Sequence, residues 1–201
     1  MKKMEAAAII GMAGAVLLSS FGSSAVTQNS IEGDVLRMHI LANSDSADDQ
    51  LLKYAVRDAI LEKGAVYFEN ADSFEDAKYT AESSLQHLEE IARETVAAEG
   101  KDYAVNAELV TMAFDERTYE NVTLPAGVYD AVRINIGEAK GQNWWCVMYP
   151  PLCVPAADDD ETEPELYFTE DEAEMLREPQ KFRYKLRCAE WFQELWDRFC
   201  E

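Results

Sequence analysis

Cys146 and His39 are the two residues whose types could form the nucleophilic centre of a thiol hydrolase. Such a centre needs a histidine within hydrogen-bonding reach of the cysteine and a third group that orients the imidazole, here Asp45 or Asn143. We favour the alternative, in which Cys146 is disulfide-bonded or buried and His39 is a strand residue satisfied by a neighbour. The reason is that a free thiol is readily oxidised outside the cytoplasm, where the N-terminal segment is expected to direct the chain.

The acidic clusters could supply the facing carboxylates of a glycoside hydrolase. Asp45, Asp48 and Asp49 are better explained by helix initiation, because acids complement the positive end of a helix dipole. The clusters lack the glycine and glutamate positions of a calcium loop, and the cysteine spacings match no zinc pattern. Gly137 and Gly141 precede tryptophans and not a helix, so no phosphate-binding loop is predicted. We therefore expect no metal and no cofactor.

The four cysteines form two pairs in the sequence. Cys146 and Cys153 flank a segment that two prolines would bend, and a disulfide between them would close a small loop and stabilise the fold by about 2–3 kcal/mol. Cys188 and Cys200 lie on a predicted helix, about 18 Å apart along its axis, so they cannot pair while that helix is intact. We expect these two to be buried thiols.

Trp144 and Trp145 are adjacent, and adjacent residues of a strand face opposite ways. One indole can therefore join the core while the other points outward. An outward tryptophan with Tyr149 and the neighbouring prolines would form a rigid aromatic patch, typical of a recognition hot spot. The alternative, in which both indoles are covered by a C-terminal helix, is equally compatible with the spacing.

Hydrophobic periodicity predicts the elements that position these residues. A strand at 35–42 precedes Ser46, which is predicted to cap a first helix with Asp49 completing a capping box. That helix is expected to end near Tyr67, and a second helix begins at 72 or 73 and ends at Gly100. Strands are predicted at 103–111, 119–124 and 128–136. The fold class is therefore α+β: one domain with a helix pair packed on a largely antiparallel sheet arranged as a meander, plus an aromatic-rich C-terminal helix.

The ends of the chain differ in composition from this domain. Residues 1–25 resemble a secretory signal, with Lys2 and Lys3 before an uncharged apolar run that is short for a membrane-spanning helix. An uncleaved anchor is the alternative. We expect a tether at 26–33, a family domain at 34–155, an acidic loop at 156–178 and a helix at 179–201. The net charge of −21 disfavours nucleic acid as a partner.

Two long blocks resemble the stage II sporulation protein R family. The first comprises RMHILANSDS at 37–46, DQ at 49–50, Lys53 and VRDA at 56–59. The second comprises Tyr129, AVRI at 131–134, IGE at 136–138, GQNWWCV at 141–147 and PPLC at 150–153. Ala139 stands where a glycine is expected. The resemblance covers roughly residues 34–155.

The resemblance implies a signal and not an enzyme. The family is made in the forespore, secreted into the space between the two membranes, and activates a membrane-embedded aspartic protease that cleaves the pro-form of the sporulation sigma factor E. Small-molecule substrates are not expected. We predict a contact surface for the protease at Arg37, His39, Asn43, Asp45, Trp144, Trp145 and Tyr149. The rival from another class is an exported thiol or cell-wall hydrolase that uses Cys146 or the carboxylates.

Overall fold

The computed structural model describes residues 26–64, 71–119, 122–150 and 167–179. Residues 26–34 are helical. Three further helices follow: α1 (Ala47–Gly64), α2 (Phe74–Ala98) and α3 (Glu170–Arg177). The strands are β1 (Leu36–Leu41), β2 (Val105–Phe114), β3 (Arg117–Tyr119), β4 (Val122–Leu124), β5 (Gly127–Ile136) and β6 (Asn143–Tyr149). No helix among these residues is long and apolar enough to cross a membrane.

The chain divides into two compact units. The described residues of the larger unit are 32–64, 71–115 and 126–150, and they contain a four-stranded sheet in the order β2-β5-β1-β6. β1 is parallel to β5, whereas the β1–β6 and β2–β5 pairings are antiparallel. This confirms the α+β class and the largely antiparallel sheet. The predicted meander is wrong, because β2 pairs directly with β5, and the residues of the predicted strand at 119–124 belong to the separate β3–β4 sheet. The first strand of the chain, β1, lies between β5 and β6.

The described residues of the smaller unit are 26–31, 116–119, 122–125 and 167–179. They contain the two-stranded β3–β4 sheet and α3, which packs against β4. The helix α3 lies inside the segment expected to be an acidic loop. Its acidic side chains are compatible with a helix because Glu172 is buried and accepts hydrogen bonds from the backbone N–H and the hydroxyl of Thr169, both at 2.7 Å. Part of that segment is thus ordered by a helix cap.

The core of the larger unit lies between the sheet and the helix pair α1–α2. Alternate residues of β1 point to this helix-facing side of the sheet, where Leu36, Met38 and Ile40 are fully buried. The helices contribute residues at helical spacing, such as Leu52, Val56 and Ile60. The helix pair predicted from the sequence is therefore confirmed, with both helices packed on the sheet through the expected apolar stripes.

Both helix starts follow the sequence prediction. Ser73 caps α2, with its hydroxyl accepting from the Asp76 backbone N–H at 3.2 Å. Ser46 accepts from the Asp49 backbone N–H at the start of α1, also at 3.2 Å. The two serines thus satisfy backbone donors that a helix leaves unpaired in its first turn.

Candidate functional site

Two loops that carry the family-like motifs meet at one end of the four-stranded sheet. We call this contact the loop junction: residues 42–46 after β1, and residues 137–143 between β5 and β6. The backbone N–H groups of Gly141 and Lys140 donate to the carbonyls of Ala42 and Asn43, at 2.9 and 3.2 Å. The turn at 137–139 is tight, and Ala139, which replaces an expected glycine, adopts a φ of 51°. The two motifs therefore form one structure.

Asn43 and Asp45, two of the predicted contact residues, hold the loop junction together. The side-chain oxygen of Asn43 accepts from the Glu138 backbone N–H at 2.9 Å. A carboxylate oxygen of Asp45 accepts from the Gln142 backbone N–H at 2.7 Å. Asp45 is nevertheless exposed, so one of its oxygens can bind the loop while the other faces solvent.

Asp49 is a buried carboxylate at the centre of the junction, 3% exposed. It accepts from the Ser44 hydroxyl at 2.5 Å and from the side-chain amide of Asn43 at 2.8 Å. These hydrogen bonds, with a further one from Tyr103, hold the pKa of Asp49 below its usual value. The predicted capping box is therefore only half formed, because the backbone N–H of Ser46 donates to the Ser44 hydroxyl at 3.2 Å and not to the Asp49 carboxylate.

Lys53 lies beside the loop junction but was not among the predicted contact residues. Its ammonium group is almost fully buried and donates to Gln50 Oε1 at 2.6 Å and to the Gln142 carbonyl at 3.1 Å. Burial lowers its pKa, and the nearby Asp45 carboxylate opposes that shift. Its place in the first family-like block was the signal that could have identified it.

Arg37 and His39 lie on the other side of the sheet from the helices, inside an aromatic cluster. We define the aromatic cluster as Arg37, His39, Phe114, Tyr129 and Trp145. The Trp145 indole stacks on the His39 ring with centroids 4.3 Å apart, and it meets Phe114 edge-on at 4.6 Å. The Arg37 guanidinium lies 4.1 Å from the Phe114 ring centroid. Both Arg37 and His39 are buried, so they support this face of the sheet by packing inside the cluster.

The stability of the fold should depend on pH through His39. Burial, together with the positive charges of Arg133 and Arg37, lowers its pKa to about 4. Between about pH 6.5 and pH 4, the unfolded chain therefore binds a proton on this side chain and the folded chain does not. As the pH falls through this range, the free energy of unfolding should decrease by up to about 1.4 kcal/mol per pH unit.

Urea unfolding at several pH values would measure this slope. The variant His39→Phe, which keeps a ring for Trp145 to stack on, should flatten it. The variant His87→Gln, at an exposed histidine on α2, should leave it unchanged. An equal slope in His39→Phe and the parent protein would contradict the assignment.

The thiol centre that the residue types alone would allow is not assembled. Cys146 is fully buried, is disulfide-bonded, and pairs with Met38 on the helix-facing side of the sheet. His39 pairs with Trp145 on the opposite side. Cys153, the proposed partner of Cys146, lies outside the described residues, and so do Cys188 and Cys200. The Cys146–Cys153 disulfide and the assignment of Cys188 and Cys200 as buried thiols therefore stay predictions.

The two tryptophans face opposite ways, as the alternation of a strand requires. Trp144 and Tyr149 are half-buried against the core cluster, and the Trp144 ring lies 5.4 Å from the Arg57 guanidinium. Trp145 belongs to the aromatic cluster. The predicted contact residues are thus divided between the loop junction, the helix-facing side and the aromatic cluster, and Asp45 is the exposed member.

The outer surface of the loop junction is polar. Glu138, Lys140, Gln142 and Asn143 are exposed there beside Asp45. Lys140 and Glu138 form an ion pair at 2.9 Å. Within residues 26–64, 71–119, 122–150 and 167–179, no group of three or more metal-ligating side chains is close enough to hold an ion. This surface can bind another molecule through hydrogen bonds and charge, and the described groups form no nucleophile–base pair on it.

The fold and the site define a small α+β module whose motif residues hold two loops in a fixed arrangement. A model of the family described as stage II sporulation protein R matches residues 32–159. The chain belongs to that family, which makes it a sporulation protein. A curated relative, "Stage II sporulation protein R" of Bacillus subtilis (strain 168), is 38% identical over 123 residues, which cover 61% of this chain and 55% of the relative.

The chain therefore spans about half the length of the curated relative that it matches. No solved structure matches it significantly. The matched region contains both sides of the loop junction and the strands of the four-stranded sheet.

Proposed function

We propose that this protein is a sporulation signal secreted from the forespore into the intermembrane space. There it binds a membrane-embedded aspartic protease and activates it, and the protease then processes pro-sigma-E in the mother cell. The observation that carries this proposal is the separation of Cys146 and His39 onto opposite sides of the sheet, with Cys146 disulfide-bonded. This geometry favours a binding role over the thiol hydrolase that the residue types alone would allow.

The fixed loop junction supports a recognition role. A ligand activates a receptor only by binding its active state more tightly than its inactive state, and a rigid surface makes such discrimination less costly. The buried contacts of Asp49 and Lys53 fix the backbone that carries Asp45, Gln142 and Asn143. We propose that this exposed polar rim, with the half-buried Trp144 nearby, contacts the protease. Arg37 and His39 act from within by supporting the sheet face.

Co-expression in a non-sporulating host tests the proposal. The complete chain, the membrane protease and pro-sigma-E would be produced together, and cleavage of pro-sigma-E followed by immunoblot. We expect cleavage only when this protein is present, and we expect it to be lost when residues 1–25 are deleted, because the protein then stays on the wrong side of the membrane.

Two controls separate a signal from a hydrolase. A protease lacking its catalytic aspartates must give no cleavage, which shows that the protease performs the reaction. A Cys146→Ala protein, compared at equal secreted amount, should still trigger cleavage, whereas a thiol hydrolase would lose all activity. Absence of cleavage with partners known to be competent would refute the signalling role.

A further inference from the structure

β2 lies at one edge of the four-stranded sheet and has an outer side that β5 does not pair. The Gly137 N–H donates to the Ala104 carbonyl at 2.8 Å, which places even-numbered residues of this segment in the hydrogen-bonded pairs with β5. Odd-numbered residues of β2 therefore direct their backbone groups outward. Ala107 confirms this pattern, because its N–H donates to the Glu89 carboxylate at 3.2 Å.

Past Ala107, the outward backbone N–H groups of Leu109, Thr111 and Ala113 have no hydrogen-bond partner in the described part of the chain. Thr111 and Ala113 are exposed, and Leu109 is partly so. Three outward donors in a row, alternating with outward carbonyls, are the pattern that an added strand would pair.

The strand lacks the features that usually protect an edge. Proteins block exposed edges with lysines, prolines, bulges or short strands. β2 is 10 residues long, contains no lysine or proline, and pairs with β5 in continuous register. Its one charged residue, Glu108, is engaged with Arg133 at 2.7 Å. Such an edge is expected to be occupied in a complex.

An acidic stripe beside this edge indicates the charge of the occupant. Glu75, Glu82 and Glu89 recur every seven residues on α2 and therefore lie on one side of that helix. Lys78 and Arg93 lie on the same side and form ion pairs with Asp130 and Glu89. The unpaired negative charge of the stripe is therefore that of Glu75 and Glu82. Glu89 reaches the Ala107 N–H, so this side of α2 borders the outer edge of β2. A second copy of this chain would bring two such stripes together and add the repulsion of two molecules of net charge −21.

We propose that the outer edge of β2, from Leu109 to Ala113, binds an extended lysine- or arginine-containing segment of a partner protein as an added strand. The backbone groups of the edge would provide affinity, and the acidic stripe would select a basic segment. This inference goes beyond the proposed function, because it concerns how a protein partner is held and can be tested without the protease.

Binding of synthetic peptides to the full-length chain tests the proposal. The probes are eight-residue peptides in which valine, threonine or tyrosine alternates with lysine, and a matched set with glutamate. Fluorescence anisotropy should show at least about tenfold tighter binding of the lysine set. Amide hydrogen exchange of Leu109, Thr111 and Ala113 should slow when the peptide binds. Absence of binding by any lysine peptide, or binding without this protection, would overturn the proposal.

Two pairs of variants locate the binding site. Ala113→Pro removes one outward N–H without touching the pairing to β5 and should weaken binding about tenfold, whereas Ala113→Val keeps the N–H and should bind normally. Glu82→Lys should weaken the lysine peptides, whereas Glu94→Lys makes the same charge change on another side of α2 and should not. If Ala113→Pro fails to fold, the glutamate pair decides.

Further results distinguish this proposal from a dimer of the chain and from the proposed function. A dimer seen by sedimentation and abolished by Ala113→Pro would assign the edge to a second copy and overturn the inference. Peptide binding without protease activation would uphold the edge site while refuting the proposed function. Equal protease activation by Ala113→Pro and Ala113→Val, with no peptide binding, would uphold the proposed function and overturn the edge site.

Discussion

Replacing Gly141 with alanine should lower the free energy of unfolding by about 3 kcal/mol. A β-carbon at this position would overlap the backbone carbonyl of Ser44. That carbonyl cannot withdraw easily, because it accepts from the Gln50 side chain at 2.9 Å and its loop is tied to the Gly141 N–H through Ala42. The clash is with backbone, so rotation of a side chain does not relieve it. The loop junction should therefore open locally before the sheet unfolds.

Urea unfolding followed by tryptophan fluorescence and circular dichroism would measure the change. Gly33→Ala is the matched control, since a β-carbon there meets nothing within 4 Å and Gly33 lies in a helical segment. Its stability should be unchanged or slightly raised. Equal stability of the two alanine variants would show that the two loops are not in close contact.

The variant Asp49→Ala should lower the free energy of unfolding by a similar amount, about 3 kcal/mol. Removing the carboxylate leaves the partly buried donors of Ser44 and Asn43 without their acceptor, and each such loss costs about 1–3 kcal/mol. The depressed pKa of Asp49 means that this contribution is present above its ordinary pKa and is lost as the pH falls through the lowered value. That window lies below the range in which His39 acts.

Asp48→Ala provides the comparison for this second variant. Asp48 is the neighbouring first-turn acid, is exposed, and has a long contact of 3.8 Å with Lys101. Its loss should change stability by no more than about 0.5 kcal/mol. A destabilisation as large as that of Asp49→Ala would mean that helix-end charge, and not the buried hydrogen bonds, explains the effect.

The helices of this fold can be predicted from the sequence because their signals are local. Ser46 and Ser73 stand at the helix starts, and the apolar residues of α1 and α2 repeat at helical spacing. The position of β1 between β5 and β6 cannot be predicted in the same way. Alternation in a strand shows which residues share a face and carries no information about which distant strand lies beside it. The same limit explains why the predicted meander, which placed residues 119–124 between β2 and β5, is wrong.

The candidate site, too, could be predicted only in part from the sequence. The sequence identifies Asn43 and Asp45 as polar residues at a strand end, and the structure gives them backbone partners 95 and 97 residues away. Arg37 and His39 are polar types that predict an outer surface, yet ring stacking in the aromatic cluster makes their burial acceptable. Whether a polar side chain in a strand is exposed depends on what covers that sheet face, and local spacing does not encode it.

The strand order also governs when the chain can fold. β1 is made first, but its neighbours β5 and β6 are made last, and its pairs join residues roughly a hundred positions apart. The sheet therefore cannot close until residue 149 has been synthesised, and a nascent chain that enters a translocation channel would still lack its central pairings. If the proposed export takes place during synthesis, this strand order leaves the sheet open while the chain crosses the membrane, so that the sheet closes on the far side.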